Sequence, residues 1–151
     1  MQKRFDTLLK SRQLTLKVIE NLTNEQLNKI PAGFKNNIAW NVAHLLVSQQ
    51  LLCYKFSDLE CLVSAEMIEN FQKGSAPKYK VTKENFKTIK EQFLQLPVKL
   101  DEDYSKGIFK NYTEYTTSIN VTLSNIEDAI DFNLFHEGIH LGVILQLAKF
   151  V

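Results

Sequence analysis

The sequence predicts an all-α protein, a four-helix bundle with short additional helices. Three observations carry that expectation. Only five glycines and three prolines occur in 151 residues, too little turn chemistry for an all-β fold. Long segments repeat their apolar residues at the 3.6 period of a helix. No internal repeat or linker divides the chain, so residues 1–151 are expected to form one domain.

The first helix is expected from about Lys3 to Asn21, with Phe5, Leu8, Leu9, Leu16 and Ile19 on one face. "LTNEQLNKIP" then reads as one short helix, because Thr23 and Gln26 make a capping box and Pro31 stops the chain from continuing. The second long helix starts near Asn37 and runs through "IAWNVAHLLVSQQLLCYKF". A short helix fits "SAEMIENFQKG", capped by Ser64 and followed by Gly74. The third long helix begins after Thr82 and is expected to stop or kink near Leu96, ahead of Pro97. Asp101 to Leu123, rich in aromatic residues and threonine, reads as loop or short extended pieces. The last helix starts from a capping box between Ser124 and Glu127 and runs to the C-terminus. Two of the connections are long, which argues for at least one crossover rather than a simple meander.

Composition excludes several function classes. The formal net charge is +1 and the basic residues are spread along the chain, so no electrostatic footprint for nucleic acid is expected. No apolar run approaches the ~18 residues of a membrane span, and the polar start "MQKRFDTLLKSRQ" does not read as a secretory leader. A cytoplasmic protein is the expectation. Cys53 and Cys61 are too few for a disulfide scaffold, and Cys53, inside "LLCY", reads as a buried small apolar residue.

The chemistry lies in three histidines, His44, His136 and His140. His136 and His140 are four apart on a helix, so their rings project from one face and can chelate one ion. His44, in the second long helix, is the only other imidazole. Three neutral imidazoles suit a divalent ion such as Zn²⁺ and leave a position open for water or substrate. Asn37, Asn41, His44 and Ser48 fall on one stripe of that helix, and Asn133 lies one turn before His136. An inward polar stripe needs a metal, water or ligand to satisfy it; the competing reading is that the stripe faces solvent.

His136-Glu137-Gly138-Ile139-His140 also spells H-E-x-x-H, the zinc-peptidase pattern. In one group of these enzymes the third ligand is a histidine six residues past the second, where this chain has Gln146. The other group needs a downstream glutamate, and none follows His140. A peptidase is therefore not expected. Glu137 itself is ambiguous, able to lean over a metal as a base or to face water.

"NNIAWNVAHL" and "FHEGIHLGVILQL" together resemble the DinB-like superfamily, grouped with bacillithiol transferases and mycothiol-dependent isomerases. The family pattern falls on Ile38, Trp40 and His44, then on His136, His140 and Gly142. Gly33-Phe34 and the segment Tyr112, Tyr115, Thr117, Ser118 extend the likeness over most of the chain. The resemblance implies an up-down-down-up bundle, a homodimer, and Zn²⁺ or Ni²⁺ held by His44, His136 and His140. It also implies a small-molecule substrate, with a low-molecular-weight thiol transferred or used in isomerisation.

Such an ion would favour a bound hydroxide or, better, a bound thiolate at neutral pH. Glu137 or Asn41 would orient or deprotonate the thiol, and Asn37, Asn41 and Ser48 would hydrogen-bond its polar groups. Tyr112 and Tyr115 either cover the site or pack on the helices. A non-catalytic metal- or small-ligand-binding protein, and a structural bundle without metal, are the other readings.

Overall fold

The computed structural model describes all residues from Met1 to Val151. Helix α1 spans Gln2–Val18, α2 Asn24–Asn28, α3 Ile38–Gln49, α4 Ala65–Phe71, α5 Lys83–Ser105 and α6 Ile126–Leu147. A two-stranded antiparallel hairpin pairs β1, Tyr115–Thr116, with β2, Thr122–Leu123. The molecule is thus mostly helical.

The helix starts follow local chemistry. Thr23 accepts from the Gln26 N–H while the Gln26 side chain accepts from the Thr23 N–H, closing the expected box at α2. Ser64 and Thr82 cap α4 and α5 in the same way with one bond each. At α6 the box lies one residue later than expected. Asn125 caps the Asp128 N–H, and the Asp128 carboxylate accepts from the Ser124 N–H. Glu127 is instead taken by the Tyr104 hydroxyl, which donates to it at 2.6 Å.

Two departures from regular helix matter for the site. Beyond Gln49, α3 loosens into a π turn, Gln50–Tyr54, tightens to a 3₁₀ turn, Lys55–Ser57, and ends at Asp58 with φ 57°. Helix α5 does not stop at Leu96 but runs through Pro97 to Ser105. A proline has no N–H for the carbonyl four residues earlier, here Phe93. Arg12, from α1, supplies the missing donor, its Nη1 lying 3.1 Å from the Phe93 oxygen. Gln49 Nε2 also donates to the Leu96 carbonyl, at 3.1 Å, and ties α3 to α5 beside the proline. With the Phe93 carbonyl satisfied from a neighbouring helix, propagation past the proline is tolerated. The irregular region therefore begins only near Gly107, whose φ of 66° ends α5.

The four long helices pack as a ring of neighbours: α1 lies against α5 and α6, and α3 against the same two. Contacts fix their directions. Arg4 with Asp131 and Arg12 with Glu137 set α1 parallel to α6. Gln2 with Asp101 and Arg12 with Phe93 set α1 antiparallel to α5. Gln49 with Leu96 joins α3 to α5, while Asn41 with His140 and His44 with His136 bring α3 and α6 together head to tail. Helix α3 is the centre of the core, its residues buried without a break from Ile38 to Val47. On α1 the buried stripe is Phe5, Leu8, Arg12, Thr15 and Ile19, with Leu9 and Leu16 at its edge. No helix is long and apolar enough to cross a membrane.

Candidate metal centre

Helix α3 presents His44 and α6 presents His136 and His140, and one ring nitrogen from each lies within 4.8 Å of the others. The His136 and His140 rings sit 4.5 Å apart between centroids, as an i, i+4 pair on one helix face requires. His44 reaches them because α3 and α6 are antiparallel neighbours, and Trp40 stacks on its ring at 4.6 Å.

Two of the rings are held by hydrogen bonds that set their tautomers. Nδ1 of His44 is 2.7 Å from the Phe71 carbonyl, which can only accept, so this nitrogen donates and Nε2 is left with a lone pair. Ser48 Oγ lies 3.3 Å from that Nε2. Nδ1 of His140 is 2.7 Å from Asn41 Oδ1. Asn41 Nδ2 donates to the Asn37 carbonyl and to Asn36 Oδ1, which fixes the amide orientation and makes Nδ1 of His140 the donor. Its Nε2 is therefore the free donor atom. This is the outer-shell arrangement that orients metal-ligating histidines. His136 has no such partner, and its Nδ1 is buried and unsatisfied. An unpaired buried nitrogen costs free energy unless a ligand meets it. Burial, then the neighbouring rings, push His136 down to about 3 and His140 down to about 4. Burial lowers His44 as well, partly offset by its bond to Phe71. All three rings are neutral near pH 7, the state in which imidazole binds a metal. Donor type, tautomers and spacing thus fit a divalent ion.

The histidines form the floor of a cavity of about 530 Å³. The π and 3₁₀ turns after α3 contribute Leu51, Leu52, Lys55 and Phe56 to its wall, and α6 contributes Phe132 and Ile139. The hairpin region brings Tyr115, Thr117 and Ser118 across it. Tyr115 stacks on Phe56 at 4.5 Å, whereas the Tyr112 hydroxyl donates to the Leu52 carbonyl and packs in the core. Covering and packing, the two readings open for the tyrosines, are thus divided between them.

Other candidates fall elsewhere. Asn37 is the N-cap of α3, its Oδ1 accepting from the Trp40 N–H and its Nδ2 donating to the Asn28 carbonyl. Asn41 is fully buried behind His140 and does not line the cavity. Of the polar stripe only His44 and Ser48 face the open space. Glu137 neither leans over the histidines nor faces water. It is 1 % exposed, with Oε1 held by Arg12 Nη2 at 2.7 Å and Nε at 3.1 Å. Burial raises its pKa, and the Arg12 charge and hydrogen bond oppose that rise. Burial pushes the Cys53 thiol up to about 12, which leaves it an inert core residue.

Arg12 is the residue that reading the apolar faces missed. It is fully buried and joins four helices at one level: its own α1, the Leu45 carbonyl of α3, the Phe93 carbonyl of α5 and Glu137 of α6. Two of these partners are direct chain neighbours of His44 and His136. The signal was the spacing 5, 8, 12, 15, 19, a continuous stripe that leads through Arg12 and Thr15.

Mostly helical, with three imidazoles gathered from two antiparallel helices at the foot of a cavity, the molecule has the make-up of a helical protein with a three-histidine group able to hold a metal ion. The family model of the DinB superfamily matches residues 7–144, and the chain belongs to that superfamily. No curated protein matches it.

Proposed function

We propose that this protein is a divalent-metal-dependent enzyme that acts on a small molecule, with a low-molecular-weight thiol as reactant in S-transfer or thiol-dependent isomerisation. The observation that carries the reading is the convergence of three neutral imidazoles on the floor of a cavity large enough for a small organic molecule. His44, His136 and His140 would hold Zn²⁺ or Ni²⁺, and the ion would supply a Lewis acid that favours the anionic form of a bound thiol.

The chain's own residues do the rest. Phe71 and Asn41 hold His44 and His140 in the tautomer that presents Nε2. Leu51, Phe56 and Phe132 shield an apolar stem from water, and Ser48 offers a hydroxyl beside His44. Asn41 and Glu137 touch no cavity space, so we assign both to positioning: Asn41 orients His140, and Glu137 pins the α6 backbone between the two histidines to Arg12. A glutamate so engaged is no water-activating base, so no Glu137-dependent peptide cleavage is expected. The helix directions support the up-down-down-up four-helix bundle that the resemblance implies, in one domain. Exposed Phe135 and Leu145 on α6 support pairing with a second copy of the chain.

Protein purified without chelator should carry about one Zn or Ni per chain by elemental analysis, in line with one three-histidine site. The double change His136→Ala with His140→Ala should remove it while helicity persists. Full metal stoichiometry in that variant would overturn the triad. In the Co²⁺-substituted protein, a thiol-dependent charge-transfer band is expected. If no thiol produces one, a non-catalytic metal-binding role replaces the enzymatic reading.

A further inference from the structure

The wall of the cavity is charged asymmetrically. Among its lining residues are two lysines, Lys55 and Lys73, and not one aspartate or glutamate. Acidic residues are not scarce, since the chain has 17 against 18 basic ones. Neither lysine is neutralised from behind: the ion pairs of the molecule join Arg4, Lys10, Arg12, Lys78 and Lys99 to their carboxylates, and leave Lys55 and Lys73 out. The two come from unrelated segments. Lys55 opens the 3₁₀ turn after α3, and Lys73 follows the end of α4. Their meeting on one cavity is a property of the fold, not of a local basic run.

Leu51, Leu52, Phe56 and Phe132 give the same wall an apolar part, beside the uncharged polar Ser48, Gln72, Thr117 and Ser118. A ligand that satisfies all three zones must be anionic at one end, apolar along its stem, and able to donate to a metal at the other. A neutral ligand would leave both ammonium groups of the wall without a counter-charge. We propose that the cavity takes an amphipathic organic anion, its carboxylate or phosphate held by Lys55 and Lys73 and its reactive end over His44, His136 and His140. This rests on the reading above that the cavity is the substrate site, and adds to it the charge and shape of the substrate.

The test uses Zn²⁺-loaded full-length protein and isothermal titration calorimetry with three thiols on one six-carbon scaffold: 6-mercaptohexanoate, 6-mercaptohexyl phosphate and 6-mercaptohexan-1-ol. Exposed ion pairs are each worth roughly two- to fivefold in affinity, so an anion meeting both lysines should bind roughly tenfold tighter than the alcohol. That advantage should shrink in high salt, as exposed charges are screened. It should vanish in the double variant Lys55→Gln with Lys73→Gln, whose metal content serves as the control for folding. Whichever anion shows the larger advantage identifies the head group. Equal affinity for alcohol and anions overturns the proposal, as does an advantage that survives the double substitution, or no binding by any of the three. Hexanoate and hexan-1-ol separate this from the parent reading. If each binds as tightly as its thiol counterpart, sulfur plays no part and the thiol reading fails, while the anion-to-alcohol ratio still reports on the lysines.

Discussion

Asn41 shows how one side chain acquires a role through its partners. On a helical wheel it shares a stripe with His44 and Ser48, which made it a candidate to touch substrate. In the fold its carbonyl oxygen is 2.7 Å from His140 Nδ1 and its amide nitrogen is taken by Asn37 and Asn36, so nothing is left over for a ligand. Asn41→Ala should therefore act on the metal. Loss of such an outer-shell partner typically costs about 10- to 100-fold in metal affinity. Competition with a chromophoric chelator would measure this, and far-UV circular dichroism should show the helices intact. An unchanged metal affinity would show that the bond from His140 to Asn41 does not set the ligand's orientation. The three histidines were legible because spacing and scarcity are sequence properties. The roles of Asn41 and Glu137 were not, because they depend on what lies across the interface, and a residue's own helix says nothing of that.

At the scale of elements, Arg12 and Pro97 belong to one device. The proline frees the Phe93 carbonyl, the arginine takes it, and the guanidinium also lies 4.5 Å over the Phe93 ring. Breaking a fully buried ion pair by removing one partner leaves an uncompensated charge, so Arg12→Met should destabilise the protein by about 3–5 kcal/mol. Urea unfolding would read this directly. Adding Glu137→Met should recover much of the loss, since the orphaned carboxylate goes with it. Should the double variant be no better than the single, the Phe93 and Leu45 carbonyls rather than the carboxylate carry the cost. The helix starts at Thr23, Ser64 and Thr82 were legible because capping is local. The end of α5 was misplaced for the complementary reason: the local rule for proline was overridden by a donor 85 positions away, from Arg12 to Pro97.

For the whole molecule, apolar periodicity said which faces are buried but not which helices become neighbours, so the ring of α1, α5, α3 and α6 came only with the structure. Its core is built of aliphatic and aromatic side chains from all four helices and does not include the histidine floor. Removing metal should leave the helices in place and lower the melting temperature. An ion present at 100-fold over its dissociation constant adds about 2.7 kcal/mol, roughly 5–10 °C for a chain of this size. Differential scanning calorimetry before and after chelator would measure the shift; cooperative loss of helix on chelation would show instead that the ion holds the fold together.

The three ring donors do not come from one stretch of chain. His136 and His140 meet within a single turn of helix, but His44 lies 92 residues before His136 (136 − 44), so the third donor arrives only when a long loop has closed. Local pairs form in microseconds, whereas distant ones wait for the nucleus of the fold. An ion offered to the refolding chain therefore meets at most a weak two-histidine site until α3 docks on α6. The chain's single tryptophan, Trp40, is buried in the core and reports the consolidation of that core by fluorescence. In stopped-flow refolding with Co²⁺, the visible absorption of the loaded centre should rise no sooner than the Trp40 signal settles. Metal uptake then acts as a clock for the last long-range contact, and a chain still short of its native topology remains empty.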